Sequence, residues 1–297
     1  MAIAAELCDV TVRYRSITAL NCVSLQLNEG EALAMLGPNG AGKTTAIGLL
    51  TGLCKSRQGR ALLFGQNPRL PEARGLIGVT PQEASFPINM KVGELLEFVR
   101  SHYPEPKSRE EIIEAFGLTN LLDRFASRMS GGQQRNFAVA LAFSGNPKVV
   151  FLDEPTTGLD IEARSKIWSY VRRYRDGGGT LLLTTHYIEE AEAIAARVIL
   201  LNEGEIVEDS SVEEIKRRVN VRILKLTALR PPEIATASIQ NREGDRYTLI
   251  ASDADAAVRE LVTAGHEFSD IEVLPASLED AISIHWAPQN LRETGDK

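Results

Sequence analysis

The sequence predicts an α/β fold: a mostly parallel sheet with right-handed crossovers, followed by a small α+β unit. Three observations carry this. Short apolar runs alternate with helix-period segments through most of the 297 residues. One such run, Ala32–Leu36, enters a glycine-rich turn that leads directly into a helical pattern. Near Arg218 the strand and helix signals begin afresh.

The elements follow in order. Val10, Val12 and Tyr14 alternate with polar residues, as do Val23, Leu25 and Leu27, the period of half-buried strands. Ala32–Leu36 reads as a buried strand and residues 44–53 as a helix. From 89 to 142 the texture turns helical, with Val92, Leu95, Leu96 and Val99 at i, i+3, i+4 and i+7. Ile112, Ala115 and Phe116 repeat that spacing more briefly, and the block reads as a helical insert at about 89–145. The core resumes with a strand at 149–152 that ends in Asp153-Glu154-Pro155. A helix at 163–174, a glycine turn, a strand at 180–184, a helix at 188–196 and a hairpin at 198–207 complete it. Beyond Arg218, residues 221–226, 246–251 and 271–274 read as strands, and 253–264 and 278–285 as helices, before a polar end at 289–297. The expected division is a main domain at 1–215 and a small accessory domain at 216–297.

Composition narrows the function classes. Hydrophobic residues at 43% and charged residues at 25% suit a soluble globular chain. The net charge of -7 gives no support to nucleic acid as the main partner. Basic clusters such as Arg172-Arg173 and Lys216-Arg217-Arg218 read as solvated helix faces. Cys8, Cys22 and Cys54 are far apart and lack a C-x-x-C pair, so they suggest neither a disulfide framework nor a zinc site. No apolar run approaches the roughly 20 residues needed to cross a bilayer, and residues 1–6 lack the basic start and apolar run of a signal peptide.

Three clusters carry chemistry. Residues 37–45, Gly-Pro-Asn-Gly-Ala-Gly-Lys-Thr-Thr, fit G-x-x-x-x-G-K-[ST] between a strand and a helix. Such glycines let backbone N–H groups close on phosphate oxygens, and the following helix adds its dipole. Asn39, Gly40, Ala41, Gly42, Lys43, Thr44 and Thr45 are therefore expected to bind a nucleoside triphosphate, with Lys43 at the outer phosphates and Thr44 on Mg²⁺. Asp153 and Glu154 end an apolar strand, and His186 ends another. Ligands of open α/β sheets bind at such carboxyl ends. Asp153 is expected to hold Mg²⁺, Glu154 to act as general base on the attacking water, and His186 to contact the γ-phosphate. Ser130, Gly131, Gly132 and Gln133 have capping-box spacing, and the bare glycines leave a second anion site at a helix start.

With these residues assembled, the chain resembles the ATP-binding-cassette (ABC) ATPase subunits of transporters over about residues 5–212. The resemblance rests on the phosphate loop, Gln82, the signature at 130–133, the acidic strand at 149–155, Gly158-Leu159-Asp160 and His186, all in the family's order. It implies a P-loop NTPase core with an N-terminal antiparallel β subdomain and a helical insert, and ATP with Mg²⁺ as cofactors. By the same resemblance Tyr14 would stack on adenine, and Gln82 would touch Mg²⁺ and the attacking water. Asp160 would couple two nucleotide sites. Two cassettes would pair head to tail, Ser130, Gly131 and Gly132 of one gripping the γ-phosphate held by the other's Lys43. Met129, Asn136, Leu141, Arg15 and Ile161 depart from the family's usual residues without removing a catalytic group.

The segment Thr184-Thr185-His186-Tyr187-Ile188-Glu189-Glu190-Ala191 and the short C-terminal part resemble stand-alone ATPase subunits of exporters, which move drugs, lipids, polysaccharides or ions. That resemblance implies a transmembrane permease and a second ABC subunit, identical or sister, as partners. It also implies a cytoplasmic place on the inner face of the cell membrane, reached through the permease. The competing expectation is a soluble ABC ATPase with a regulatory, ribosome-associated or DNA-associated role.

Overall fold

The computed structural model describes residues 2–82, 84–219, 221–280 and 282. The polar end at 289–297 and half of the helix expected at 278–285 lie outside these residues; Leu278, Glu279, Asp280 and Ile282 are helical. The chain forms two units, Met1–Ser210 and Ser211–Lys297.

The first unit opens with β1 (Ile3–Tyr14), β2 (Ile17–Asn28) and β3 (Ala32–Leu36). Next come α1 (Lys43–Leu50), β4 (Gln58–Leu63), a short α2 (Pro71–Arg74) and β5 (Ile77–Thr80). The helical block holds α3 (Val92–Arg100), α4 (Arg109–Ala115) and α5 (Gly131–Ser144). The unit continues through β6 (Val149–Asp153), α6 (Ile161–Asp176), β7 (Thr180–Thr184), α7 (Ile188–Ile194), β8 (Arg197–Asn202) and β9 (Glu205–Ser211). Among the described residues a six-stranded sheet has the order β5-β6-β7-β3-β8-β9. Its pairs β5/β6, β6/β7, β3/β7 and β3/β8 are all parallel. An antiparallel sheet, β2-β1-β4, faces the same core.

The reason for the parallel sheet is visible in its strands. Every residue of β3, β6 and β7 is buried, as expected of strands covered on both faces. Leu33, Met35, Phe151 and Leu182 meet Ile47, Leu49 and Leu50 of α1 and Leu7, Val10 and Leu27 of the antiparallel sheet in one core. Because parallel strands all point one way, β3, β6 and β7 deliver Gly37, Glu154 and His186 to the same edge.

Some elements depart from the sequence reading. The first helix stops at Leu50 instead of residue 53, because Gly52 turns the chain at φ +72°, where a Cβ would meet Pro68 O at 2.5 Å. Strands β4 and β5 had no clear sequence signal: β4 is half exposed and polar, and β5 is four residues interrupted by Gly78. The hairpin expected at 198–207 is β8 and β9, joined at Glu203 and Gly204, both at positive φ.

The second unit contains α8 (Val212–Val219), β10 (Arg222–Thr227), β11 (Ala237–Glu243), β12 (Arg246–Ala251), α9 (Ala254–Thr263) and β13 (Ser269–Pro275). Its antiparallel sheet runs β11-β12-β10-β13. Leu224, Leu226, Tyr247 and Leu249 pack against Ala257 and Leu261 of α9 in a separate small core. Strand β11 is almost wholly exposed, so no apolar alternation announces it. Among the described residues no helix is long and apolar enough to cross a membrane.

Candidate functional site

The phosphate loop joins β3 to α1 as the sequence predicts. Its last turn depends on Gly42, at φ +111°, where an added Cβ would lie 2.3 Å from Ala19 O. Gly40 has no atom within 4 Å of such a Cβ and borders open space. No side chain caps α1 and its first turn has no acidic residue, so no side chain there offsets the positive end of the helix dipole. Lys43 is only 6% exposed, and its Nζ donates to Gly37 O (2.7 Å) and Pro38 O (3.0 Å). Burial pushes the Lys43 ammonium below its ordinary value, while Glu154 and then Asp153 pull it back up.

A cleft of about 390 Å³ opens here. Asn39, Gly40, Gly42, Lys43, Thr44 and Thr45 line it together with Gln82 and Glu154. Thr44 Oγ1 donates to Gln82 Oε1 at 3.5 Å, which brings the loop after β5 to the start of α1. Ala41 does not reach the cleft: it is 2% exposed, packs in the core, and its carbonyl accepts from Gly204 N. Tyr14 also stands outside the cleft lining, half exposed at the end of β1, with its hydroxyl 3.6 Å from Cys54 Sγ. The thiol contact, with burial second, raises the Tyr14 hydroxyl above its usual range.

The carboxylates come from the end of β6. Asp153 is 2% exposed and its Oδ1 accepts from the Thr184 hydroxyl at the end of β7. Glu154 takes φ +48°, outside the usual range for a non-glycine residue. Its N–H donates to Thr184 O (3.0 Å) and Oγ1 (3.1 Å), which holds that conformation. Its Oε2 accepts from Thr157 Oγ1 at 3.1 Å and lies 3.4 Å from His186 Nδ1. The His186 ring rests against Tyr187, with centroids 4.0 Å apart.

The oxygen set suits a hard divalent cation. Thr44 Oγ1 and Gln82 Oε1 are adjacent, and Asp153 supplies a buried carboxylate. Among the described residues no cluster of three or more His, Cys, Asp or Glu could hold a metal. Mg²⁺ uses few protein ligands and takes the rest from phosphate and water, a demand that the paired Thr44 and Gln82 oxygens meet in part.

The signature forms a second cleft, of about 620 Å³. Ser130 caps α5 in both directions: its Oγ accepts from Gln133 N (3.3 Å), and Gln133 Oε1 accepts from Ser130 N (3.1 Å). Nothing lies within 4 Å of a Cβ built on Gly131, so the helix start is open. Gly132 and Gln133 share this cleft with Gly158, Leu159 and Asp160. Asp160 also caps α6, accepting from Ala163 N at 2.8 Å. The Lys43 cleft and the Ser130 cleft have no lining residue in common.

Two residues that the sequence reading did not single out hold these parts together. Arg135 of α5 is buried, and its Nη atoms donate to the carbonyls of Pro81, Gln82, Asp153 and Glu154. Glu190 of α7 is 6% exposed and accepts from Thr156 Oγ1 (2.6 Å), Thr185 Oγ1 (2.8 Å) and Trp168 Nε1 (3.1 Å). The available signal was charge inside an otherwise apolar helix face, but the partners are distant in sequence.

Comparison with known proteins gives three consistent findings. A family model described as ABC transporter matches residues 20–157. The daunorubicin resistance ATP-binding protein DrrA2 of Streptomyces coeruleorubidus is 38% identical over 216 residues, covering 70% of this chain and 66% of the relative. The daunorubicin/doxorubicin resistance ATP-binding protein DrrA of Streptomyces peucetius is 34% identical, covering 72% of this chain and 67% of the relative. The chain thus spans about two thirds of these two. DrrA3 of Streptomyces coeruleorubidus, a daunorubicin resistance ATP-binding protein, is 32% identical over 94% of both chains. Among solved structures, an ATP-binding cassette in a dimeric post-hydrolysis state with ADP and Pi matches with TM-score 0.64 and 27% identity. That match covers 70% of this chain and 98% of the cassette. An ATP-binding subunit of an ABC transporter shares the fold at TM-score 0.67 and 24% identity, over 73% and 93% of the two chains.

Proposed function

Because the chain belongs to the ABC transporter family, we propose that it binds and hydrolyses ATP as one half of a cassette pair and powers a separate membrane permease. The observation that carries the proposal is the Glu154 carboxylate, fixed by Thr157, beside His186 and on the wall of the Lys43 cleft. In this reading residues 39–45 hold the triphosphate through backbone N–H groups and Lys43. Tyr14 stacks on the adenine. Thr44, Gln82 and Asp153 hold Mg²⁺, which supplies positive charge to the outer phosphate oxygens. Glu154 accepts a proton from the attacking water, Gln82 orients that water, and His186 contacts the γ-phosphate.

Ser130, Gly131, Gly132 and Gln133 serve the nucleotide of a second subunit, with Asp160 between the two sites. Two separate clefts on one chain suit an isologous pair, in which each subunit completes the other's site. The unit Met1–Ser210 is the nucleotide-binding domain, and the unit from Ser211 is an accessory domain. The relatives' names favour drug export as the transported class, with the chain on the cytoplasmic face of the membrane through its permease.

The test is Glu154→Gln in the full chain. Turnover is expected to fall at least about a hundredfold, the scale of a general base. ATP binding should persist, and light scattering should show a nucleotide-trapped dimer. Hydrolysis at the wild-type rate would remove Glu154 from its role. Co-purification with ribosomes, and with no membrane protein, would overturn the transporter reading.

A further inference from the structure

We infer that Arg135 is a positioning residue that fixes the loop of Gln82 and the backbone of Glu154 to the signature helix, so that both groups stand in register with the nucleotide. The inference rests on the reading that the Lys43 cleft hydrolyses ATP.

The geometry is specific. Arg135 lies five residues beyond Ser130 on α5, about 7.5 Å along the helix axis. Its Nη1 donates to Pro81 O (2.5 Å) and Gln82 O (2.9 Å), and its Nη2 to the carbonyls of Asp153 and Glu154. Those acceptors belong to two segments, 53–54 and 18–19 residues away. One segment carries the glutamine that touches Thr44, and the other carries the carboxylate beside His186. Nε has no hydrogen-bond partner, so the fork of the two Nη atoms makes every hydrogen bond of this guanidinium.

Only an arginine fits this arrangement. The planar guanidinium offers donors in a fixed fork that can face two carbonyl pairs at once, whereas a lysine concentrates its donors on one atom. A cation buried among carbonyls would be costly without compensation. Here Asp153 and Glu154 also provide favourable charge. The consequence is mechanical. Ser130–Gln133 and Arg135 share one rigid helix, so a shift of the signature is carried to the Gln82 and Glu154 backbones. The two clefts have no shared residue, and Arg135 gives them a physical connection.

The experiment compares full-length wild type, Arg135→Met and Arg135→Lys. It measures steady-state hydrolysis with Mg-ATP, affinity for a fluorescent ATP analogue, and thermal melting. Misplacement of catalytic groups by about an ångström can reduce turnover up to a hundredfold. Arg135→Met is therefore expected to lose at least about tenfold in kcat while analogue affinity stays within about threefold. Arg135→Lys, which keeps charge but not the fork, is expected to fall between. If the methionine variant does not fold, the lysine variant decides alone, with a kcat loss at unchanged KM and melting temperature. Wild-type kcat in Arg135→Lys would overturn the inference. So would parallel losses of kcat, affinity and melting temperature. A wild-type chain that does not hydrolyse ATP in the same assay would instead overturn the proposed function.

Discussion

At Glu154 a carboxylate is held in a backbone conformation that costs of order 1–3 kcal/mol for such a residue. The Thr184 carbonyl and hydroxyl both accept from its N–H, so the surrounding structure fixes the strain instead of relaxing it. Lys43 makes the complementary point. Its ammonium closes the loop by bonding Gly37 O and Pro38 O, and a triphosphate offers stronger, charged acceptors. A charge-assisted hydrogen bond contributes about 1.5–3 kcal/mol. Lys43→Ala should therefore weaken ATP affinity by about tenfold to a hundredfold in a fluorescent-nucleotide titration. Unchanged affinity would count against the phosphate-loop reading.

At the scale of elements, α5 and α6 meet α4 through an aromatic cluster. Phe143 has Tyr170 and Tyr174 edge-on, with centroids at 5.0 and 5.2 Å, and Phe116 lies 4.8 Å from Tyr170. Tyr170 donates to Glu111 and Tyr174 to the Pro147 carbonyl. Burial pushes both hydroxyls well above their ordinary 10.0. It does the same, less strongly, to Tyr103. Above pH 10 the unfolded chain has lost these protons while the folded chain retains them. Their stabilisation is therefore complete below pH 10 and is lost as pH rises through the folded values. Lys43 and Arg135 act oppositely, since their lowered values make stability rise with pH, while the raised Tyr14 hydroxyl adds to the other tyrosines. Chemical denaturation across the alkaline range should show stability falling above about pH 10, and Tyr170→Phe should flatten that limb. A flat wild-type profile would refute it.

For the whole molecule, the two units have separate cores, one around Leu33, Met35 and Phe151 and one around Leu224, Tyr247 and Leu249. A unit with its own core can fold alone. A chain ending at Ser210 is therefore expected to melt cooperatively and to bind ATP within about threefold of the full chain, a difference of about 0.7 kcal/mol. Circular dichroism and nucleotide titration check both, and a gradual, non-cooperative melt would refute it. The same scale bears on the pairing proposed above: the Lys43 and Ser130 clefts have no lining residue in common, which suits the proposal that a second subunit completes each site.

Much of this was written locally in the chain. The strand Ala32–Leu36, the glycine turn and the start of α1 follow from runs of adjacent residues, and so does the Ser130–Gln133 cap. Backbone conformation and capping act over three or four residues, so sequence alone determined where the glycine turn meets a helix start and which strand ends carry Glu154 and His186. Exposed β11 and short β5 gave no such pattern. What only the tertiary structure decided is how the strand ends and loops are fastened together. Ala41 turns into the core, Arg135 reaches carbonyls as far as 54 residues away, and Glu190 joins Thr156, Thr185 and Trp168. The physical reason is that a buried charge is stable only when its hydrogen bonds are met, and those partners become neighbours only after the sheet and helices have packed.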